Sequence, residues 1–173
     1  MTKARLIEML RAARAEWEAA LRAVPEQRLC EPGAAGAWSV KDVIVQLAYL
    51  EQWYADRLDE ALRGEAYAPS AMDGLAGESL SQVLYRQHRY RPLADVLAEA
   101  HYSFRRLVRA VEAHSEAFLT QPQVFAGAAK AAPVWQGLRR EVCGRYERHG
   151  AILRAWLAAS ASPARPKFDA KSR

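Results

Sequence analysis

The chain has 173 residues, 51% of them hydrophobic and 26% charged, a composition that suits one globular domain and excludes a disordered protein. The net charge of +5 comes mainly from residues 163–173; the remainder carries no basic stripe with interleaved aromatic residues, so we expect no nucleic-acid binding. Two cysteines, an N-terminus with interspersed charges and no apolar run of ~20 residues argue against a disulfide scaffold, a signal peptide and a membrane span. We therefore expect a cytoplasmic protein with one domain over residues 1–162 and a flexible basic tail over 163–173.

Apolar residues recur at helical spacing in several segments, and no segment shows the period-two alternation of a strand. Four long helices and one short helical piece are predicted at residues 3–24, 39–63, 80–90 (the short piece), 92–118 and 134–159. Ser39 followed by Asp42 is a capping-box-like start for the second helix, and Gly64 is a natural stop. Pro92 suits the first turn of the third long helix, where a proline is tolerated.

These elements predict an all-α fold, an antiparallel four-helix bundle in which each long helix buries one apolar stripe. The connection over residues 66–79 is rich in Gly, Ala, Pro and Ser, and with the short helical piece it forms the longest link between helices. A second loop, residues 120–133, leads to the last helix. The sequence has no glycine-rich phosphate loop, Gly-x-Ser-x-Gly elbow or His-Glu-x-x-His motif, so these common enzyme signatures are missing.

Two motifs resemble the DinB/YfiT-like superfamily of four-helix bundles. Residues 38–47 read WSVKDVIVQL, similar to the Trp-Ser-x-x-Asp-x-x-x-His-Leu pattern that begins the second helix of DinB-like proteins. Residues 144–149 read GRYERH, which resembles the His-x-x-x-His turn on that family's last helix. The resemblance covers residues 2–160, and the Trp-Ser-Val-Lys-Asp stretch is also similar to the ClbS/DfsB branch, which includes hydrolases acting on reactive natural products.

The resemblance implies a metal site that this chain has lost. In DinB-like proteins three neutral imidazoles, one from the second helix and two from the last, hold a divalent ion with open positions for water or substrate. Here Gln46 and Arg145 stand at two of these positions, and only His149 matches. We therefore expect no resident metal; a nickel or zinc ion held through other ligands is the alternative.

The same positions supply the candidate catalytic residues, in a polar cleft between the second and last helices. His149 is a candidate general base, Gln46 would orient water or substrate, and Arg145 would hold negative charge. The alternative for His149 is a part-buried histidine hydrogen-bonded to a neighbour such as Gln46. The alternative for Arg145 is a salt bridge to a carboxylate such as Glu51 or Glu147.

Aromatic residues near this face are candidate substrate contacts. Tyr49, Trp53 and Tyr146 are placed in that role, although aromatic residues at helical spacing are more often part of the core. Cys143 is expected to be a buried, inert thiol, and Trp38 a structural residue packed at the helix start.

Three functions remain open on the sequence. The first is a DinB-like protein with a degenerate metal site that binds, or hydrolyses without metal, an unidentified and reactive small molecule. The second is a metal-dependent hydrolase or transferase with a reduced site, and the third is a non-catalytic interaction module. We also expect a homodimer, because DinB-like relatives commonly pair through helix faces and the apolar content leaves room for a second buried face.

Overall fold

The computed structural model describes residues 1–67, 69, 72–73, 75 and 77–161, so the tail predicted over 163–173 lies outside the described residues. Its helices are α1 Lys3–Arg22, α2 Val40–Leu62, α3 Gly77–His88, α4 Leu93–Ala113, α5 Glu116–Thr120, α6 Val134–Gly137 and α7 Gly144–Ala161. A 3-10 turn, Glu26–Arg28, follows α1, and a π-helical turn, Leu138–Cys143, joins α6 to α7. No strand occurs in the described part of the chain, which confirms the all-α prediction. No described helix is long and apolar enough to cross a membrane.

The four long helices form a bundle with two helices running in each direction. The start of α1 lies beside the end of α4, because Lys3 Nζ donates to the carbonyl oxygen of His114 at 2.9 Å. Helices α2 and α4 run parallel: Lys41 at the start of α2 bonds to Arg91 just before α4, and Leu58 near its end bonds to His114. The chain must therefore return along the bundle between α2 and α4, and this return explains the long connection that carries α3.

Helices α1 and α7 also run side by side in one direction. Cys143 lies near Met9 in the first half of α1, and Gly150 lies near Ala20 towards its end. Side chains from all four long helices meet in one hydrophobic core. Its fully buried members include Leu6, Leu10, Ile44, Leu58, Leu107, Val111 and Leu138.

The predicted caps of α2 are present and fix the ends of that helix. Ser39 Oγ accepts the N–H of Asp42 at 3.2 Å, and the Asp42 carboxylate accepts the N–H of Ser39 at 2.9 Å. The reciprocal bonds form the predicted capping box, an arrangement that stabilises a helix by about 1 kcal/mol. Gly64 follows the helix with a φ of 70°, the left-handed conformation that favours glycine.

Helix α4 ends earlier than the sequence predicted. Instead of continuing to residue 118 it stops at Ala113, where His114 adopts an extended conformation and hydrogen-bonds to the carbonyl oxygen of Leu58 at 2.8 Å. Ser115 then caps the short helix α5 by accepting the N–H of Phe118 at 3.1 Å. A capping residue two positions after the break thus divides one predicted helix into two.

Two further predictions about single residues can be checked against the packing. Cys143 is fully buried, and burial raises the pKa of its thiol to about 11, as expected for an inert core cysteine. Trp38 packs against Tyr85 of α3, with ring centroids 5.5 Å apart, so it anchors α3 to the start of α2.

Candidate functional site

His149 lies in an apolar pocket between α1, α2 and α7. The pocket is lined by residues that include Trp17, Val40 and Val43, and its free volume of about 10 Å³ is no more than one water molecule needs. Burial, together with the positive charges of Arg145 and Arg148, lowers the pKa of His149 to about 4. The imidazole is therefore neutral at neutral pH and a weaker base than general-base catalysis at that pH favours.

The expected alternative for His149, a hydrogen bond to a neighbour such as Gln46, is not formed at Nδ1. This buried atom has no hydrogen-bond partner among the described residues. Arg145 lies 3.9 Å from Glu141, one helical turn before it, and not beside Glu51 or Glu147 as expected. The prediction of an ion pair is correct, but the predicted partners are wrong.

Gln46, Arg145 and His149 do not line one pocket together. Neither Gln46 nor Arg145 is among the residues around the pocket of His149, and both are half-buried. The structure therefore gives their proposed catalytic roles no common cavity, and these roles stay predictions.

The family's metal positions do not fit nickel or zinc in this chain. One imidazole, one amide and one guanidinium replace three imidazoles, and the guanidinium adds a positive charge where a cation would sit. Across the described residues, no three His, Cys, Asp or Glu side chains form a group that could hold a metal ion.

A buried polar cluster connects the four long helices. Arg14 of α1, Glu51 of α2, Ser103 of α4 and Tyr146 of α7 are at most 5% exposed, and we call them the four-helix polar cluster. Arg14 Nη1 donates to Glu51 at 2.8 Å, and the hydroxyls of Ser103 and Tyr146 also donate to the Glu51 carboxylate. The Glu51 carboxylate thus accepts hydrogen bonds from side chains of three other helices.

The remaining donors of Arg14 are satisfied too. Its Nε donates to Glu18 at 2.8 Å and its Nη2 to the carbonyl oxygen of Ala100 at 3.1 Å, while its guanidinium lies 5.1 Å from the Phe104 ring centroid. Burial would lower the pKa of Arg14, but Tyr146 and Glu51 outweigh it and raise the pKa, which keeps the guanidinium charged. Burial raises the pKa of Glu51, against the opposing effects of its three donors.

The cluster changes the interpretation of Tyr146. We predicted a substrate contact, but Tyr146 is 1% exposed and its hydroxyl is bound to Glu51, so its position is that of a core residue. Sequence reasoning also missed Arg14. The available signal was its position four residues after Leu10 and three before Trp17, on the buried stripe of α1.

Two clefts open beside the 121–133 loop. The first, the Trp53 cleft, has a volume of about 230 Å³ and includes Trp53, Tyr54, Lys130 and Arg140. It combines aromatic faces from α2 with two positive charges, one of them from the loop. The predicted substrate contact Trp53 therefore does line a cleft.

The second cleft lies on the other side of the same loop. This Tyr67 cleft has a volume of about 370 Å³ and includes Ala61, Tyr67, Phe118 and Gly127. The third predicted substrate contact, Tyr49, lies in neither; it lines a smaller cavity of about 50 Å³ towards α4.

A basic and aromatic turn joins α3 to α4. Residues 85–91 read YRQHRYR; the Tyr90 ring is 84% exposed, and the Arg89 guanidinium lies 4.5 Å from its centroid. Within the described chain neither Arg86 nor Arg89 forms an ion pair, and Lys41 Nζ holds the turn by donating to the carbonyl oxygen of Arg89 at 2.8 Å. Contrary to expectation, this turn is a basic stretch with interleaved aromatic residues.

No protein-family model matches this sequence, and no curated protein matches it either. Several solved structures share its fold. A protein from Streptococcus pneumoniae superposes with a TM-score of 0.77 at 12% identity, over 91% of each chain. The colibactin self-resistance protein ClbS, solved in complex with double-stranded DNA, gives 0.72 at 17% identity, over 89% of this chain and 94% of its own. DfsB, described as a sibling lethal factor precursor, gives 0.76 at 15% identity, over 94% of this chain and 99% of its own.

These comparisons place the chain among all-α bundle proteins that include ClbS and DfsB. The fold is shared over almost the whole of each chain, which confirms the resemblance drawn from residues 38–47 and 144–149. At these identities the likeness establishes the fold alone. Function has to be argued from the residues of this chain.

Proposed function

We propose that the protein binds a small organic molecule in the Trp53 cleft. The observation that carries this proposal is the pairing of aromatic side chains, Trp53 and Tyr54, with the positive charges of Lys130 and Arg140 around one cleft of about 230 Å³. A few polar groups around an apolar cleft are typical of ligand sites. The expected ligand is an aromatic or conjugated molecule with a negative charge.

The names of two structural neighbours support a reactive molecule as the ligand. ClbS is a self-resistance protein for colibactin, and DfsB is described as a sibling lethal factor precursor. Sequestering a reactive compound requires a cleft that encloses it but no catalytic group. We therefore propose binding as the primary activity of this chain, and metal-free hydrolysis as a possible extension of it.

The binding proposal is tested with naphthalenesulfonate, a planar aromatic anion, by calorimetry. Ala132 lines the Trp53 cleft, so Ala132→Phe should fill it and weaken binding at least roughly tenfold. Trp156→Ala is the matched control, since Trp156 is a half-buried aromatic residue on α7 that does not line the cleft. Equal binding by the parent and Ala132→Phe would overturn the proposal.

The hydrolytic extension assigns His149 as base, Gln46 as the group that orients water and Arg145 as the holder of negative charge. Its test is the rate of hydrolysis of an activated aryl ester by the parent and by His149→Gln. A parent rate no higher than that of the variant would reject His149 as a base. The low pKa of His149, about 4, favours that outcome.

The metal-dependent alternative is tested by titrating nickel and zinc into chelator-treated protein. We expect no tight stoichiometric site in the parent, since the donors at Gln46, Arg145 and His149 suit neither ion. The variant Gln46→His with Arg145→His should gain affinity, because Arg145 and His149 are four residues apart on one helix. Tight binding by the parent would show that other ligands complete a site.

A second candidate function, nucleic-acid binding, is favoured by the turn over residues 85–91. Phosphates attract exposed arginines, and an exposed tyrosine offers a stacking face for a base. ClbS was solved in complex with double-stranded DNA, although the shared fold alone does not transfer that property. We propose Arg86, Arg89 and Tyr90 as the contacts.

The nucleic-acid proposal is tested by fluorescence anisotropy with single- and double-stranded oligonucleotides of equal length at low and moderate salt. Arg86→Glu with Arg89→Glu should weaken binding at least roughly tenfold and flatten its salt dependence. Arg105→Glu with Arg109→Glu makes the same charge change at exposed positions along α4. Equal loss in both double variants would show a general charge effect and reject the site.

A homodimer is the remaining proposal about assembly. Size exclusion with light scattering should give about twice the chain mass of 19.3 kDa at micromolar concentration. A mass equal to one chain would reject it.

A further inference from the structure

We propose that the Trp53 and Tyr67 clefts are two halves of one elongated ligand site, divided by Phe125. This inference rests on the proposed small-molecule function and names the shape and class of its ligand. Gln123, Phe125 and Ala126 line both clefts, so the same short segment forms the wall between them. The ligand is an elongated, largely planar organic anion.

Aromatic contacts hold the ring of Phe125 between the clefts. Its ring lies nearly parallel to Tyr54, at 6.3 Å between centroids, and edge-on to Phe118, at 6.4 Å. Tyr54 belongs to the first cleft and Phe118 to the second, so a planar ligand that displaced Phe125 would meet an aromatic face on each side.

The backbone next to Phe125 is strained. The N–H of Ala128 donates to the carbonyl oxygen of Phe125 at 3.1 Å, which closes a tight turn with Ala126 and Gly127 at its centre. Both central residues have positive φ, 51° for Ala126 and 70° for Gly127, and the value at Ala126 is unfavourable for a residue with a Cβ. Strained non-glycine residues of this kind are concentrated at ligand clamps and switch regions.

Neighbouring contacts explain why the strained turn persists. Gln123 and Ala132 form a pair of backbone hydrogen bonds, at 3.2 and 3.0 Å, that hold the base of the loop. A Cβ at Gly127 would lie 2.4 Å from Cε1 of Tyr67, so the turn packs directly on the wall of the second cleft. The base of the loop is fixed, whereas its tip carries the strain and the dividing side chain.

The volume of the Trp53 cleft alone is small for a drug-sized ligand. Drug-sized ligands bind in pockets of ~300–1,000 Å³, and the Trp53 cleft, at about 230 Å³, is smaller than this range. Joined to the Tyr67 cleft of about 370 Å³ it falls inside the range. The first half is lined by two basic residues, Lys130 and Arg140. The second half is lined by Arg57 together with the carboxylates of Glu60 and Glu65, so the anionic end of the ligand belongs at the first half.

The test compares a short and a long probe on the full chain. Naphthalenesulfonate fits the Trp53 cleft alone, and bis-anilinonaphthalene sulfonate has linked ring systems that require both clefts. Ala61 lines the Tyr67 cleft and not the Trp53 cleft. Ala61→Phe should therefore weaken binding of the long probe at least roughly tenfold and change the affinity for the short probe by no more than about twofold. Phe125→Ala should strengthen binding of the long probe more than binding of the short probe.

The outcomes separate this inference from the proposal it rests on. If Ala132→Phe weakens binding of both probes while Ala61→Phe changes binding of neither, the Trp53 cleft binds ligands but the inference of a joined site is overturned. If Ala132→Phe changes neither probe, the proposed function fails, and this inference fails with it. Circular dichroism and unfolding midpoints of the variants identify misfolding, and Phe125→Ala, which only removes atoms, gives an independent result if a filling variant misfolds.

Discussion

The four-helix polar cluster and the 121–133 loop solve opposite problems in the same bundle. In the cluster, Arg14 and Glu51 are charged and nearly inaccessible, and their charged groups are bound by partners on neighbouring helices. In the loop, side chains are mostly half-buried or exposed, and the turn at Ala126 holds an unfavourable conformation beside open clefts. The comparison separates polar residues that define the fold from residues placed for binding.

Full pairing inside the core characterises the cluster, whereas open space beside polar side chains characterises the clefts. A buried polar group whose hydrogen bonds are all formed makes one arrangement of helices favourable over others. It also leaves no free donor or acceptor for a ligand. The Trp53 cleft differs in its open space, because about 230 Å³ lies beside Trp53, Lys130 and Arg140, although Arg140 is paired with Glu141 at 2.7 Å. We therefore infer that the cluster fixes how the four long helices align, and that the clefts bind ligands.

Removing one partner of the four-helix polar cluster should give the largest decrease in the free energy of unfolding. Glu51→Ala leaves the buried guanidinium of Arg14 without its carboxylate, and removal of one partner of a buried ion pair costs about 3–5 kcal/mol. Urea unfolding followed by circular dichroism measures this loss. The double variant Arg14→Met with Glu51→Leu should recover much of it, because no charge remains unpaired.

An exposed ion pair provides the control for that experiment. Arg11 and Glu112 form a 3.1 Å pair between α1 and α4, with side chains 62% and 46% exposed. Glu112→Ala should lower the free energy of unfolding by no more than about 1 kcal/mol. If Glu51→Ala cost no more than Glu112→Ala, the cluster would not hold the helices in register.

His149 tests the effect of an unpaired buried polar atom, because the residue is half-buried and its buried Nδ1 lacks a partner among the described residues. Its pKa is about 4 in the folded chain, against 6.5 in the usual range, so the unfolded chain takes up a proton first as the pH falls. The free energy of unfolding should therefore fall by about 1–2 kcal/mol between pH 7 and pH 5 through this residue.

The contribution of His149 is isolated by comparison with His149→Gln. The glutamine does not titrate, so the difference between the two urea-unfolding curves should change over this pH interval. A constant difference from pH 7 to pH 5 would show that the imidazole titrates normally in the folded chain. The pocket around it would then be more open to water than the structure indicates.

The sequence predicted the features that are local and periodic. The capping box at Ser39 and Asp42 and the stripes of the long helices were found because each depends on residues close in the chain. The four-helix polar cluster was missed because its four members are far apart in sequence and each, alone, is an ordinary polar residue. The division of the third long helix combines the local cap at Ser115 with a contact between His114 and Leu58 that no local pattern contains.

The candidate binding site was predictable in one residue only. Trp53, a predicted substrate contact, lines the Trp53 cleft and not the predicted one around Gln46, Arg145 and His149, and its role in binding stays a prediction. The other walls come from the 121–133 loop, whose turn has a positive φ at Ala126. Alanine carries no sequence signal for that conformation, so the clefts could not be predicted.

The smallest expected effect concerns that turn. Ala126→Gly removes the Cβ that makes a φ of 51° unfavourable, while it increases the freedom of the unfolded chain, so stability should rise by only about 0.5–1 kcal/mol. Gly127→Ala is the opposite change at the next position, where φ is 70° and a Cβ would lie 2.4 Å from the Tyr67 ring. It should destabilise the chain, and the two unfolding midpoints should move in opposite directions. A decrease in stability with Ala126→Gly would mean that the turn is relaxed, and the contrast between a satisfied core and a strained binding loop would then rest on the clefts alone.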